Sequence, residues 1–133
     1  MAKTILIVDN DPITVQSLKK HLSASGYRVV TCGDGQSALI AIHEGLRVDL
    51  LITDYRMPGM DGLELVTRIK RYAPHVPVIM CSVHMRIDVY LKALGLGLVE
   101  YLEKPVHPDE LTRIVALALE GPAKRSSETT MAD

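Results

Sequence analysis

Four short apolar runs in this chain each stop at a side chain that can do chemistry. Ile5-Leu6-Ile7-Val8 runs into Asp9-Asn10-Asp11, and Leu50-Leu51-Ile52-Thr53 into Asp54. Val76 to Cys81 is followed by Ser82, and Val99 to Glu103 by Lys104. Gathered at one point, two carboxylates, an amide, a hydroxyl and an ammonium form a coherent set for handling a phosphoryl group. Clustered carboxylates repel unless a cation lies between them, and hard oxygen ligands favour Mg2+. An ionised carboxylate attacks phosphorus without a general base and forms an acyl phosphate. A metal ion and a lysine neutralise the phosphoryl oxygens, and a serine hydroxyl donates to one of them. Taken singly, each residue is ordinary. An Asp after a strand is usually a loop or cap residue, Asp11 before Pro12 is a ready helix cap, and a lysine ending an edge strand is usually solvated. The joint placement carries the argument.

The elements between these residues decide whether they meet. Ile5–Val8 is too short for a helix and apolar on both faces, as in a buried parallel strand. Asp11-Pro12 reads as N-cap and first helical residue, with Val15, Leu18 and Leu22 at helical spacing and Gly26 closing the segment. Tyr27 to Thr31 reads as a second strand, and Asp34 opens a helix through Ala38, Leu39 and Ile42 that ends near Gly45. Leu50 to Thr53 is a third strand. Asp61 and Glu64 fit a capping box for a helix carrying Leu65, Val66 and Ile69. Val76 to Cys81 is a fourth strand, and Arg86 to Leu94 is helical. Val99 to Glu103 alternates in polarity like a half-exposed edge strand, and Pro108-Asp109-Glu110 opens a last helix with Leu111, Ile114, Val115 and Ala118 on one face. The order is β-α repeated about five times, which predicts an α/β fold with a parallel sheet and helices on both faces. All strand ends then share one edge, where ligands bind in such folds.

Composition narrows the field. The 133 residues are one domain's worth, and 47% hydrophobic content supplies a core without metal or disulfide staples. Fifteen basic residues against 16 acidic ones give a net charge of −1, which argues against direct nucleic-acid binding by this segment. No apolar run approaches membrane-spanning length, and the N-terminus lacks the pattern of a signal peptide, so a cytoplasmic location is expected. Cys32 and Cys81 sit in or beside apolar runs and read as reduced core residues.

Over roughly residues 3 to 120 the sequence resembles the response-regulator receiver family. The matching stretches are Ile5 to Asp9, Asp54-Tyr55-Arg56-Met57-Pro58-Gly59-Met60-Asp61-Gly62, Pro77 to Ser82, and Glu100-Tyr101-Leu102-Glu103-Lys104-Pro105. The resemblance implies a (βα)5 flavodoxin-like fold, five parallel strands in the order 2-1-3-4-5. The receiver domain is expected over 1–121, and the polar, small residues of 122–133 read as a disordered tail or the start of a linker. The resemblance also implies Asp54 as phosphoacceptor, with Mg2+ held by Asp9, Asn10, Asp54 and the main-chain carbonyl of Arg56. Lys104 would bind the phosphoryl group and be followed by a cis bond to Pro105. Ser82 and Tyr101 would be the switch pair: phosphorylation draws Ser82 toward the phosphoryl oxygens, and the Tyr101 ring turns inward. That change would reshape the face made by the fourth helix, fifth strand and fifth helix, which engages an output partner or a dimer mate. The donor would be a sensor histidine kinase or a histidine phosphotransfer protein. The domain would catalyse only its own Mg2+-dependent phosphorylation and dephosphorylation.

The sequence departs from the family pattern in places. Asn10 stands where a second acid is common, and its neutral oxygen predicts weaker Mg2+ binding. Val83 replaces a small residue after Ser82, which predicts narrowed access to Asp54. Leu98 replaces a small residue after Gly97. Arg56 and His84 would flank the mouth of the site and tune phosphoryl lifetime. Rival readings are weaker. A flavin or nucleotide site would need a phosphate-cradling loop where Asp9-Asn10-Asp11-Pro12 is acidic, and Gly33-Asp34-Gly35 lacks a third glycine. A hydrolase would need more than Ser82-Val83-His84, which is no nucleophile elbow. A degenerate receiver that only binds partners is favoured by Asn10 alone.

Overall fold

Strand length here follows the apolar runs, and helix starts follow the caps. In a computed structural model the backbone is described over residues 2–132 and the side chains over residues 2–120. The elements are β1 (Thr4–Val8), α1 (Pro12–Ala24), β2 (Arg28–Cys32), α2 (Gly35–His43), β3 (Leu50–Asp54) and α3 (Gly62–Tyr72). They continue with β4 (Val78–Ser82), α4 (Ile87–Gly95), β5 (Leu98–Glu103) and α5 (Pro108–Ala132). The expected tail over 122–133 lies outside the described side chains.

All strand pairs are parallel, in the order β2-β1-β3-β4-β5, as expected. Because the order reverses between β1 and β3, a crevice opens at their carboxyl ends, where the neighbouring connections leave toward opposite faces. β1, β3 and β4 are buried along their whole length, so alternate residues feed two cores. Leu6, Val8, Leu51, Val78 and Met80 pack with Leu65, Val66 and Ile69 of α3 and with Val89 and Ala93 of α4. Ile5, Ile7, Leu50, Ile52, Ile79 and Cys81 pack with Leu18 and Leu22 of α1 and Leu111, Ile114 and Val115 of α5. Each fully buried Leu or Ile contributes about 1.5–3 kcal/mol relative to exposure, so neither face could be left open.

Asp11, Asp34 and Asp61 cap α1, α2 and α3, accepting from the main-chain N–H groups of Ile13, Ser37 and Glu64. The Glu64 side chain pairs with Arg68 at 2.8 Å, one turn on, so the capping box is read as its forward half plus an i,i+4 pair.

Two strand boundaries and one burial pattern depart from expectation for identifiable local reasons. β2 begins at Arg28 because the Tyr27 N–H donates to Leu22 O and closes the end of α1. β4 runs Val78–Ser82 rather than from Val76, whose N–H donates back to Ala73 in the preceding turn; Ser82 therefore belongs to the strand. β5 does not alternate cleanly: adjacent Tyr101 and Leu102 are both buried, one in each core, because helices cover both faces of this edge strand. The Lys104–Pro105 bond is cis, as expected.

Candidate functional site

The parallel sheet brings the four strand-end residues to one edge. Asp9 follows β1 directly, and its N–H donates to Cys32 O at 3.1 Å, extending the β1–β2 pairing by one step. Asp54 is the last residue of β3. The Lys104 N–H donates to Ser82 O at 2.7 Å, so the β4–β5 pairing also continues past the formal strand end. From there the Lys104 side chain reaches across the edge. Its Nζ lies 2.7 Å from Asp9 Oδ2 and 3.2 Å from Asp54 Oδ2.

These charges are held almost out of water: the side chains of Lys104, Asp9 and Asp54 are 9%, 4% and 10% exposed. Burial pushes the Asp54 carboxyl above the ordinary carboxylate value; Lys104 pulls it back down and Asp9 pushes it up. For Lys104, burial disfavours the charged form. The hydrogen bond to Asp9 and the fields of Asp9 and Asp54 outweigh burial, and its pKa lies above the ordinary lysine value. The ammonium is therefore secure at neutral pH. On β4, in register with Asp54, burial drives the Cys81 thiol up to about 12, so it is an inert packing residue.

Two local devices fix the carboxylates. Asp9 Oδ1 accepts from the Asp11 N–H at 2.9 Å, locking the β1–α1 turn onto the site. Asp11 is exposed and accepts from the Thr14 hydroxyl at 2.7 Å, which lowers its pKa; it serves the helix and stands outside the ion cluster. On the other side, Gly62 opens α3 hard against the end of β3. Its N–H donates to Tyr55 O at 2.7 Å, and a Cβ there would overlap the main-chain oxygen of Asp54 and lie 2.9 Å from Tyr55 Cα. Only glycine permits this approach. The buried Thr53 hydroxyl donates to Asp54 O at 2.9 Å. Gly62 and Thr53 are positioning residues whose roles are visible only once α3 is seen packed on β3.

The remaining expected residues sit around this cluster. Asn10 and Arg56 are exposed at the mouth and line a groove of about 460 Å3. Val83 is 58% exposed and His84 is exposed in the β4–α4 connection. Ser82 is buried, and its Oγ makes a long 3.4 Å contact to His84 O. Tyr101 is 4% exposed, edge-on to Tyr90 with ring centroids 5.9 Å apart, and its hydroxyl has no partner. The ring is thus already inward here; the outward position from which it was expected to turn is not the one observed. Leu98 is buried at the start of β5. Cys32 and Cys81 are both free thiols.

The metal expectation can be weighed against this donor set. Among the described residues there is no group of three or more His, Cys, Asp and Glu side chains of the kind that holds a metal ion. The set consists of two carboxylates with oxygens from an amide and the main chain. All are hard donors, which fits Mg2+ and excludes soft metals.

Geometry and comparison agree on the class of protein. The chain belongs to the response regulator receiver domain family, whose model matches residues 5–116. It is 36% identical to the transcriptional regulatory protein GlrR of Escherichia coli K12 over 124 residues, covering 93% of this chain and 28% of that protein. It is 34% identical to the transcriptional regulatory protein FixJ of Bradyrhizobium diazoefficiens over 115 residues, covering 86% of this chain and 56% of that protein. The chain therefore spans between about a quarter and just over half the length of these relatives. A CheY-like response regulator receiver domain protein from Methanospirillum hungatei superposes with a TM-score of 0.86 at 29% identity, covering 90% of this chain and 95% of that one. Receiver domains are signalling modules of two-component systems, and this chain is one. Among the described residues no helix is long and apolar enough to cross a membrane.

Proposed function

We propose that this domain accepts a phosphoryl group on Asp54 from a sensor histidine kinase or a histidine phosphotransfer protein, and thereby switches an output in the cytoplasm. The observation that carries this reading is the buried Asp9–Lys104–Asp54 cluster at the carboxyl edge of the sheet. A purely structural ion pair gains nothing from a second buried carboxylate on the same lysine. A phosphoryl-accepting site needs both: one carboxylate to attack and another to help hold a cation.

Asp9, Asn10, Asp54 and the main-chain carbonyl of Arg56 are the oxygens that would hold Mg2+. When bound, the ion supplies positive charge to the phosphoryl oxygens. This chain's residues do the rest. Asp54 attacks phosphorus as the ionised carboxylate, the bond from phosphorus to the donor nitrogen breaks, and the electron pair leaves with the imidazole. Lys104 stays protonated and neutralises charge on the transferred group. The Ser82 hydroxyl, held only by its long contact to His84 O, is free to donate to a phosphoryl oxygen. Withdrawing Ser82 toward the site stabilises the inward Tyr101 ring, so phosphorylation biases a two-state equilibrium. The readout is the face of α4, β5 and α5. There Ile87, Leu91 and Leu94 lie exposed at helical spacing, a surface suited to an output domain, an output protein or a second copy. Val83, His84 and Arg56 tune access and phosphoryl lifetime: Val83→Ala raises the rates of both phosphorylation and hydrolysis. Asn10→Asp tightens Mg2+ binding in a metal titration.

The test is intact mass after incubation with Mg2+ and either acetyl phosphate or phosphoramidate. The expected result is one added phosphoryl group, labile to hydroxylamine and absent in Asp54→Ala. Failure with these donors and with a histidine kinase would favour the second reading, a receiver that only binds partners, which the neutral Asn10 supports.

A further inference from the structure

The edge of the sheet opposite Asp54 gathers cations that the phosphoryl chemistry does not use. β1 and β2 start in register there, Thr4 against Arg28, and the Arg28 N–H donates to Lys3 O at 2.9 Å. The loop before β3 is tied to the same place. The Asp49 N–H donates to Thr4 O at 2.8 Å, and the Thr4 N–H donates to Asp49 Oδ2 at 2.8 Å. Main-chain bonds therefore fix the roots of Lys3 and Arg28 and anchor the loop that carries Arg47. Lys3, Thr4, Arg28, Leu46, Arg47 and Asp49 line a cavity of about 540 Å3 at this edge. Lys3, Arg28 and Arg47 are exposed and have no ion pair or side-chain hydrogen bond among those found for the described residues. Asp49 is the carboxylate among the described lining residues, and its Oδ2 is already used on the main chain. Singly, each cation is an ordinary solvated side chain. Together, three like charges in one concavity repel one another and focus a positive potential that an anion relieves.

We propose that this cavity binds a small anion with two or more linked phosphates, a polyphosphate or the phosphate tail of a nucleotide. Its volume lies in the range of small-molecule sites and far exceeds one phosphate ion. The cations reach in from three separate segments, so a chain of linked phosphates meets them together where a single phosphate meets them in part. Arg28 and Arg47 offer guanidinium forks to the phosphate oxygens, and Lys3 adds a point charge. The bonded main chain beneath them confines the ordering cost to the side chains. The cluster occupies one cavity in a chain of net charge −1, which favours a small ligand over a nucleic-acid backbone. No covalent bond is made, and neither a metal ion nor phosphorylated Asp54 is required, so the proposal stands apart from the phosphoryl-transfer reading. A ligand here ties the starts of β1 and β2 to the α2–β3 loop and stabilises the folded state.

The experiment is isothermal titration calorimetry of the full chain in metal-free, low-salt buffer, with inorganic tripolyphosphate as the probe. Saturable 1:1 binding is expected, roughly tenfold tighter than for inorganic monophosphate. Arg28→Gln and Arg47→Gln should each weaken it roughly tenfold, and Arg47→Lys should recover part of the loss. Arg113→Gln removes the same charge from an exposed position on α5 and should stay within about twofold. The substituted side chains are exposed, so Tm without the probe should be unchanged, and tripolyphosphate should raise it in wild type alone. Amide resonances should shift at Thr4, Arg28 and Asp49 and stay fixed at Asp9 and Asp54. Tighter binding of adenosine triphosphate than of tripolyphosphate would assign the cavity to nucleotides, and equal binding to the phosphate chain alone. Absence of saturable binding would overturn the proposal, as would monophosphate binding equally well, shifts confined to the carboxyl edge, or an equal loss in Arg113→Gln. An oligonucleotide that binds the same residues more tightly as it lengthens would overturn it in favour of a nucleic-acid backbone.

Discussion

Lys104 meets Asp9 at 2.7 Å, and Arg68 meets Glu64 at 2.8 Å, yet the two pairs are physically different. The first is almost fully withdrawn from water, and the second is about half exposed. Arg86 and Asp88 resemble the second. Distance therefore says little about an ion pair; desolvation decides its weight. In water the exposed charges lose little when separated. At the carboxyl edge of the sheet one lysine holds two buried carboxylates, and removing that lysine strands both.

That contrast is broken most severely at Lys104. Lys104→Ala leaves two buried carboxylates facing each other. It is expected to lower the unfolding free energy by about 2–4 kcal/mol in metal-free urea titrations and to abolish stable phosphorylation. Mg2+ should restore part of the stability, and none of it should return if the carboxylates do not share a cation site. Next is Gly62→Ala, which changes no charge but forces α3 away from Asp54. A cost of about 1–3 kcal/mol is expected, together with slowed phosphorylation; an unaltered rate would show that α3 does not set the position of Asp54.

Asp54→Asn should act in the opposite direction. Burial raises the folded pKa of Asp54, so ionising it opposes folding. The sign follows from proton counts: from the ordinary carboxylate value of 3.8 up to the higher folded value, the native state holds more protons than the unfolded one. Wild type therefore loses stability relative to Asp54→Asn as pH rises through that window, and the gap is constant above it. At neutral pH the variant's Tm should be higher by roughly 2–5 °C; a lower Tm would mean that Lys104 more than offsets the burial of Asp54. The smallest effect is at the exposed pair. Glu64→Gln should change stability by less than ~0.5 kcal/mol, and a larger loss would show that exposure does not decide the weight of an ion pair in this protein.

Much of this site is legible in the sequence. Asp9, Asp54, Ser82 and Lys104 end apolar runs, and the β-α alternation requires those ends to share an edge. Asp11, Asp34 and Asp61 announced their helices because a cap is a local hydrogen bond. The details that depend on packing were not legible. Gly62 stands in the sequence only as the end of the Asp54 to Gly62 stretch, and its close approach to Asp54 O exists only where α3 packs on β3. Tyr101 and Leu102 broke the expected alternation because helices cover both faces of β5. Lys3, Arg28 and Arg47 offered no joint sequence signal, since they lie on separate segments and only the fold makes them line one cavity.

The sequence by itself determined the element order, the strand-end chemistry and the family, because hydrophobic period, caps and motif residues are properties of neighbours along the chain. Only the tertiary structure decided how the charges share Lys104, how far burial shifts Asp54 and which cations meet at the amino edge. Desolvation and convergence arise between segments that the chain keeps far apart and that meet only when the two cores close.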